Sequence, residues 1–187
     1  PMAGPSWPDV QLFPVLLPVA PPGCPAPAGG FALMASVTAP DSRGSVRLAS
    51  ASPADLPLID PGFLREPADL DRLAVGLNLV RTATASSAFT RLGVTEAHPG
   101  PAARDHDALQ DWIRRTAGSY YHPAGTCPIG PSPDDEAVTD PELRVHGISG
   151  LRVADASVMP VIPNAPLHAT VLAVAERGGV QGRVRDD

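Results

Sequence analysis

The 187-residue sequence predicts an α+β fold in which a mostly antiparallel sheet is flanked by helices. Three observations predict it. Short apolar runs bounded by Pro and Gly come first; a three-to-four-residue apolar period begins at Pro67; strand-like runs return after Gly130, ahead of a last helical pattern. That order argues against a doubly wound fold, and no Gly-x-Gly-x-x-Gly occurs in the sequence.

The elements follow in turn. Pro1 to Val10 reads as an irregular lead-in, and Asp9 to Val19, broken by Pro14 and Pro18, as an edge strand. Pro21 to Gly30 is a loop, Phe31 to Thr38 a strand, Ser42 to Ser45 a turn, Val46 to Leu48 the start of another strand, and Pro57 to Asp60 a short extended piece. Pro67 suits a first helical turn, and Leu70, Leu73, Ala74, Leu77 and Val80 give one apolar stripe to about Ala85. Gly93 to Arg104 reads as loop. Asp105 is placed to cap a helix carrying Leu109, Trp112 and Ile113, with Gly118 to end it. Ser132 to Glu136 is a polar, solvated loop. Leu143-Arg-Val and Leu151-Arg-Val read as two short strands around the turn at His146 to Gly150. A last helix begins near Asn164 to Pro166 and is closed by Gly178-Gly179, and the charged tail to Asp187 is expected to fray.

Composition narrows the function. With 43% hydrophobic but only 4% aromatic residues, the core is expected to be aliphatic. A net charge of −6 argues against nucleic acid as main partner and against a basic membrane-binding patch. No apolar run reaches the length of a membrane span, and the apolar stretch Gln11 to Ala20 lacks the basic flank of a signal peptide. Cys24 and Cys127 are too few and too far apart for a disulfide framework, which suits two thiols in a reducing, cytoplasmic compartment. Cys and His show no metal-ligand spacing.

Two histidines stand out. In Tyr120-Tyr-His-Pro-Ala-Gly-Thr-Cys-Pro-Ile-Gly130, Pro123 restricts the backbone of His122 to extended values and Gly125 allows a tight passage. A histidine so placed is either a satisfied structural residue or a positioned base. His168 falls in the first turn of the last helix, where the partial positive charge of the helix end disfavours imidazolium; it is either a surface residue or a neutral proton acceptor. Asp155, after the run Leu151 to Ala154, reads equally as a cap or as a contact to ligand hydroxyls. His98, His106 and His146 read as exposed loop residues.

His122-Pro-Ala-Gly-Thr-Cys127, Val138-Thr-Asp-Pro-Glu-Leu-Arg-Val-His-Gly147 and Gly150-Leu-Arg-Val-Ala-Asp-Ala-Ser-Val-Met-Pro160, in this order, resemble the C-terminal signature of the glucose–methanol–choline (GMC) oxidoreductases. Ser42 to Ser50, Pro57 to Pro61 and Asp69 to Leu73 look like that family's substrate-domain strands and following helix, so the likeness covers nearly the whole chain. It implies the GMC C-terminal substrate domain, with residues 1–130 forming a substrate-binding part that carries the catalytic-histidine loop. Residues 131–187 would return to complete an FAD-binding domain. The family's dinucleotide fingerprint lies near its N-terminus, and that part is expected to be absent here.

The resemblance implies an FAD-dependent oxidoreductase that oxidises a small-molecule alcohol to a carbonyl. His122 would take the hydroxyl proton as hydride departs to the flavin, and His168 would complete the pair, a His–His variant of the commoner Asn-Thr-Asn-Ala-Pro-Thr pattern. Asp155 and Ala156 match positions that approach the FAD ribityl chain and pyrophosphate; Ala169 and Thr170 match the helix start facing the flavin ring. A missing N-terminal FAD-binding half is the implied partner, and the chain alone is expected to hold FAD poorly. The rival reading is a cofactor-less remnant or binding module without activity.

Overall fold

In the computed structural model, residues 8–133 and 136–183 are described. Pro1 to Trp7, Asp134, Asp135 and the end of the charged tail lie outside them, and with them most of the expected lead-in and tail and part of the polar loop.

The α+β class is as expected: antiparallel strands with helices. Strand β1 (Val10–Val15) pairs antiparallel with β2 (Ala32–Val37), Val10 opposite Val37 and Val15 opposite Ala32. β1 ends four residues before the expected Val19. Pro14 remains within it because β1 is paired on one side, so a missing amide costs no ladder bond there. β3 (Ser45–Arg47) and β4 (Leu58–Asp60) make a second two-stranded sheet.

Helix α1 (Pro67–Thr84) begins on Pro67 and has no side-chain cap. Its expected stripe is the one that turns inward: Leu70 and Ala74 are buried, and Leu73 and Leu77 pack against them. Helix α1 lies on the β1–β2 hairpin, and Gly76 permits the approach, since a Cβ there would stand 2.9 Å from Val10 and 3.0 Å from Ala35. A short helix α2 (Ser87–Arg91) and a 3-10 turn at Pro101–Ala103 were not foreseen; the latter sits inside the segment expected to be loop. Helix α3 (His106–Thr116) is capped by Asp105, whose carboxylate accepts from the Ala108 amide at 2.8 Å. Leu109 and Ile113 join Leu70, Ala74 and Ala103 in one core, with Trp112 at its edge. Gly118 does not end α3; the chain leaves at Ala117, which is already extended (ψ 143°).

The chain divides into two compact units. The first holds the described residues of Pro1–Gly44 and Ile59–Tyr120, and the second those of Ser45–Leu58 and Tyr121–Asp187. Within the first unit, Asp69 is 2% exposed and does several tasks. Its two oxygens accept from the Asp41 and Ser42 amides at 2.9 and 2.8 Å, and it pairs with Arg72 at 2.8 Å. The guanidinium also meets Asp41 at 2.8 Å and Asp9 at 3.3 Å, while Ser42 Oγ accepts from the Glu66 amide at 3.0 Å. The Asp69–Arg72 pair thus ties together the residue before β1, the turn after β2 and the start of α1. Burial opposes ionisation of Asp69, but the hydrogen bonds from Ser42 and Asp41 and the charge of Arg72 outweigh it and hold its carboxyl below the ordinary range. Glu96 is lowered in the same sense, its burial outweighed by Arg81, the Gly100 amide and Arg104.

Among the described residues no helix is long and apolar enough to cross a membrane, and no cluster of three or more His, Cys, Asp or Glu could hold a metal ion. Cys24 and Cys127 are both half-buried and not disulfide-bonded.

A carboxylate whose folded pKa is depressed contributes stability that is present above its unfolded value, about 4, and is lost as pH falls through the folded value. Urea denaturation followed by circular dichroism should therefore show stability declining below about pH 4–5. Asp69→Ala, by removing the acceptor of two amides and one of the three carboxylates around Arg72, should cost on the order of 1–3 kcal/mol at pH 7. It should also flatten the acid limb; a variant with wild-type stability and an unchanged acid limb would remove Asp69 from this role.

Candidate functional site

The second unit brings the sequence-predicted site residues together. The segment after Tyr121 runs extended, with Tyr121 itself in the left-handed region (φ 62°) and Gly125 likewise (φ 82°). Gly125 is needed on two counts, because a Cβ there would also stand 3.1 Å from the Met159 carbonyl. Three alternate amides of this loop donate to three consecutive carbonyls of the Asp155 segment: Gly125 to Ala156 at 3.2 Å, Cys127 to Ser157 at 2.8 Å and Ile129 to Val158 at 2.9 Å. Val158 and Met159 are 0% and 5% exposed, and Leu143, Ala137 and Leu167 are the other buried hydrophobic residues among those described in this unit.

Behind the loop lies the connection from Ala137 to Val153. Fully buried Thr139 donates its hydroxyl to the Cys127 carbonyl at 3.3 Å, and its own carbonyl accepts from Gly130 at 2.9 Å. Asp140 folds the following turn by accepting from the Glu142 and Arg144 amides, each at 2.9 Å, and from Arg144 Nε at 2.7 Å. The two expected strands around the turn at His146 to Gly150 are not strands. They meet in a single antiparallel bridge, Arg144 with Arg152, flanked by bonds from Val145 to Leu151 and from Val153 to Leu143. The reason is local: Leu143 is left-handed (φ 66°), which interrupts extended backbone where the first strand would begin.

Asp155 proves to be a cap. Its Oδ1 accepts from the Ser157 amide at 2.8 Å and from Ser157 Oγ at 2.5 Å, closing a short 3-10 turn over Ala156–Val158. Those two hydrogen bonds hold its carboxyl below the usual carboxylate range, so it is charged at neutral pH. Both bonds go to one oxygen, and the residue is exposed.

The last helix, α4 (His168–Arg183), differs from expectation at both ends. It starts at His168 rather than near Asn164, because Pro166 holds the preceding residue out of helical geometry and the first helical bond runs from the Val171 amide to the Leu167 carbonyl at 2.9 Å. The amides of His168, Ala169 and Thr170 therefore precede the helical ladder. Gly178 and Gly179 do not close the helix; they lie inside it. Gly178 is buried where a Cβ would stand 2.8 Å from Leu143 Cδ1 and 3.3 Å from the Ala154 methyl.

His122 reaches the residue just ahead of this helix start, which His168 opens. The Leu167 amide approaches His122 Nδ1 at 3.5 Å, the long end of hydrogen-bond range. His122 is half-buried, and His168, Ala169 and Asp155 are exposed. The sequence did not single out Leu167, although a residue that follows Pro166 and precedes a helix is a natural cap with an amide to place. Two other histidines were misjudged. His146 is half-buried with Nε2 3.1 Å from the Gly130 carbonyl, and His98 is half-buried with Nε2 2.9 Å from the Pro25 carbonyl; His106 is exposed as expected.

Chemically, the second unit offers one tethered imidazole, a second imidazole on the next turn of chain, a fixed carboxylate, and three backbone amides at a helix start. Such a corner suits a hydroxyl-bearing substrate and an anion-accepting ring.

Comparison with known proteins agrees. Residues 40–175 match the model of the GMC oxidoreductase C-terminal region, described as GMC oxidoreductase. The chain is 40% identical over 157 residues to choline oxidase of Arthrobacter globiformis, covering 83% of this chain and 29% of that protein. It superposes on pyridoxine 4-oxidase from Mesorbium loti with a TM-score of 0.84 and 35% identity, over 93% of this chain and 34% of that one. On Aspergillus oryzae formate oxidase, described in connection with modification of its FAD, the TM-score is 0.79 at 29% identity, over 86% and 28%. The chain thus spans about a third of the length of these relatives. With its signature motifs folded into one seam and matched across most of the sequence, the chain belongs to the GMC oxidoreductase family and represents its C-terminal portion.

Proposed function

We propose that this chain is the C-terminal part of an FAD-dependent oxidoreductase that converts an alcohol to a carbonyl, with His122 and His168 handling the hydroxyl proton. The observation that carries the reading is the convergence of His122, Leu167 and the first turn of α4, stitched through the loop to the Asp155 turn. The relatives' names point to alcohol-type donors, among them choline. In this reading residues 1–130 are the substrate side with the histidine loop, and residues 131–187 belong to the cofactor side. The half-buried, unpaired thiols of Cys24 and Cys127 support a reducing, cytoplasmic compartment.

The residues fit FAD. Asp155 has one oxygen fixed in its turn, leaving the other to accept from a ribityl hydroxyl, with Ala156 beside it near the pyrophosphate. The amides of Ala169 and Thr170, ahead of the helical ladder, can face the ring and favour negative charge there. When bound, the flavin supplies the two-electron acceptor. The protein's own part is to orient the alcohol against two imidazoles and to manage its proton, work that proximity and general acid–base chemistry make worth several orders of magnitude.

Exposed Leu48, Leu56, Leu58 and Ile59 support the companion proposal that this chain alone does not hold FAD firmly. The purified chain should show no stoichiometric flavin absorbance; tightly retained FAD would overturn that proposal. In the flavin-loaded protein, His122→Ala and His168→Ala should each slow reduction of the flavin by alcohol about 10²-fold or more in stopped-flow traces. Wild-type rates in either variant would take that histidine out of the reaction. Gly125→Val, which forces a side chain onto left-handed backbone beside Met159, should loosen the seam and reduce the rate while both histidines remain.

A further inference from the structure

We infer that Phe13, Met34 and Tyr120 form the surface of the first unit that receives the organic part of the substrate, and that they select an alcohol whose carbinol carbon bears an aromatic ring. The inference rests on the proposed alcohol oxidation and names its substrate class.

The two faces of the β1–β2 hairpin are told apart by Gly76. A Cβ on Gly76 would stand 2.9 Å from Val10, 3.0 Å from Ala35 and 3.9 Å from Leu12, so those three side chains point at α1. Successive side chains of a strand alternate between its faces. Phe13 and Met34, opposite each other in the register, therefore point away from α1, and with them Gln11, Val15, Ala32 and Ser36. The ring of Tyr120 joins this face, its centroid 4.6 Å from that of Phe13 at an interplanar angle of 31°. Only 4% of the chain is aromatic, yet two of its rings meet here, outside the core around Leu70 and Leu109. Met34 and Tyr120 are 38% and 39% exposed, and Phe13 is half-buried. The cluster thus keeps apolar area in contact with solvent for a ligand to cover.

The chemistry of the face sets what it binds. None of its strand residues is charged, so it offers no counter-ion to a cationic or anionic alcohol. The two rings lie against each other at a shallow angle, and each gives one face to its neighbour. They do not make the convergent cage that a quaternary ammonium group needs. A flat ring suits them better, because it extends the stack by an offset or edge-on contact, and the polarisable thioether of Met34 lies beside Phe13 to meet it. Chain continuity supplies the link to the chemistry. Tyr120 precedes His122 by two residues, a span of at most about 7 Å. That is the scale of one ring and the carbinol group it carries. The three side chains act on selection, and the proton is left to the histidines.

Two experiments decide it. In the chain labelled with ¹³C in its methionine methyl groups, benzyl alcohol should shift the Met34 resonance saturably. Half-saturation should come at least about threefold lower in concentration than with cyclohexylmethanol or choline. No shift with benzyl alcohol, or an equal midpoint with either of the others, overturns the inference. In the flavin-loaded protein, Phe13→Leu keeps apolar bulk but removes a ring. It should lower kcat/KM for benzyl alcohol about three- to tenfold, mainly through KM, and change that for cyclohexylmethanol less than about twofold. Equal losses on the two alcohols would make the effect structural and sink the assignment. Should the loaded wild-type protein reduce its flavin with no alcohol at all, the reading as an alcohol oxidoreductase falls, while the methyl titration still decides whether this face takes an aryl alcohol.

Discussion

Everything in the candidate site depends on three backbone hydrogen bonds, those from Gly125, Cys127 and Ile129 to the consecutive carbonyls of Ala156, Ser157 and Val158. They are ordinary in strength, about 1 kcal/mol each net, yet they decide geometry. The end of the seam where Gly125 meets Ala156 leads back on one segment to His122 and on the other to the carboxylate of Asp155. Because the accepting carbonyls belong to a turn closed by Asp155 itself, loosening the carboxylate loosens the loop, and the two functional positions are coupled through backbone rather than through side chains. Val158 is fully buried, so the bond from Ile129, if unmade, would leave a buried carbonyl without a partner.

The first unit solves a different problem with charge. The hairpin β1–β2 and helix α1 bury a modest aliphatic core of Leu70, Ala74, Leu109 and Ile113, lacking the large aromatic area that dominates many interiors. Asp69 compensates by serving two amides and one guanidinium at once. A buried ion pair contributes little by itself, but one that satisfies the amides of a turn also fixes where that turn goes.

Much of this was legible in the sequence, and what was not has physical reasons. The stripe from Leu70 to Leu77 and the cap at Asp105 are local signals with a fixed period or a fixed partner, and both appear as read. Glycine was the weaker guide. Gly178-Gly179 and Gly118 read as helix terminators, but Gly178 is small for the sake of Leu143 and Ala154, a contact between positions far apart in sequence. Leu143-Arg-Val read as a strand because its composition is right, while the positive φ of Leu143 comes from the turn that Asp140 organises. For the site, the motifs pointed to His122, Asp155 and His168, and the fold gathers them in one unit. The link between them is a main-chain amide, which no side-chain pattern announces.

The placement of Gly178 has a consequence of phase. Helix α4 is held at its start through Leu167 and His122, and again ten residues after His168, where Gly178 nests against Leu143 and Ala154. An α-helix turns about 100° per residue, so these two attachments fix its rotational setting as two pins fix a shaft. The bearing of His168 around the helix axis is thus determined partly by a contact nearly three turns away. A single residue inserted or removed between the two pins would swing the second imidazole by about 100° while leaving composition, apolar content and both motifs intact. The length of α4 between its two anchors is as much a part of the site as the histidine it carries.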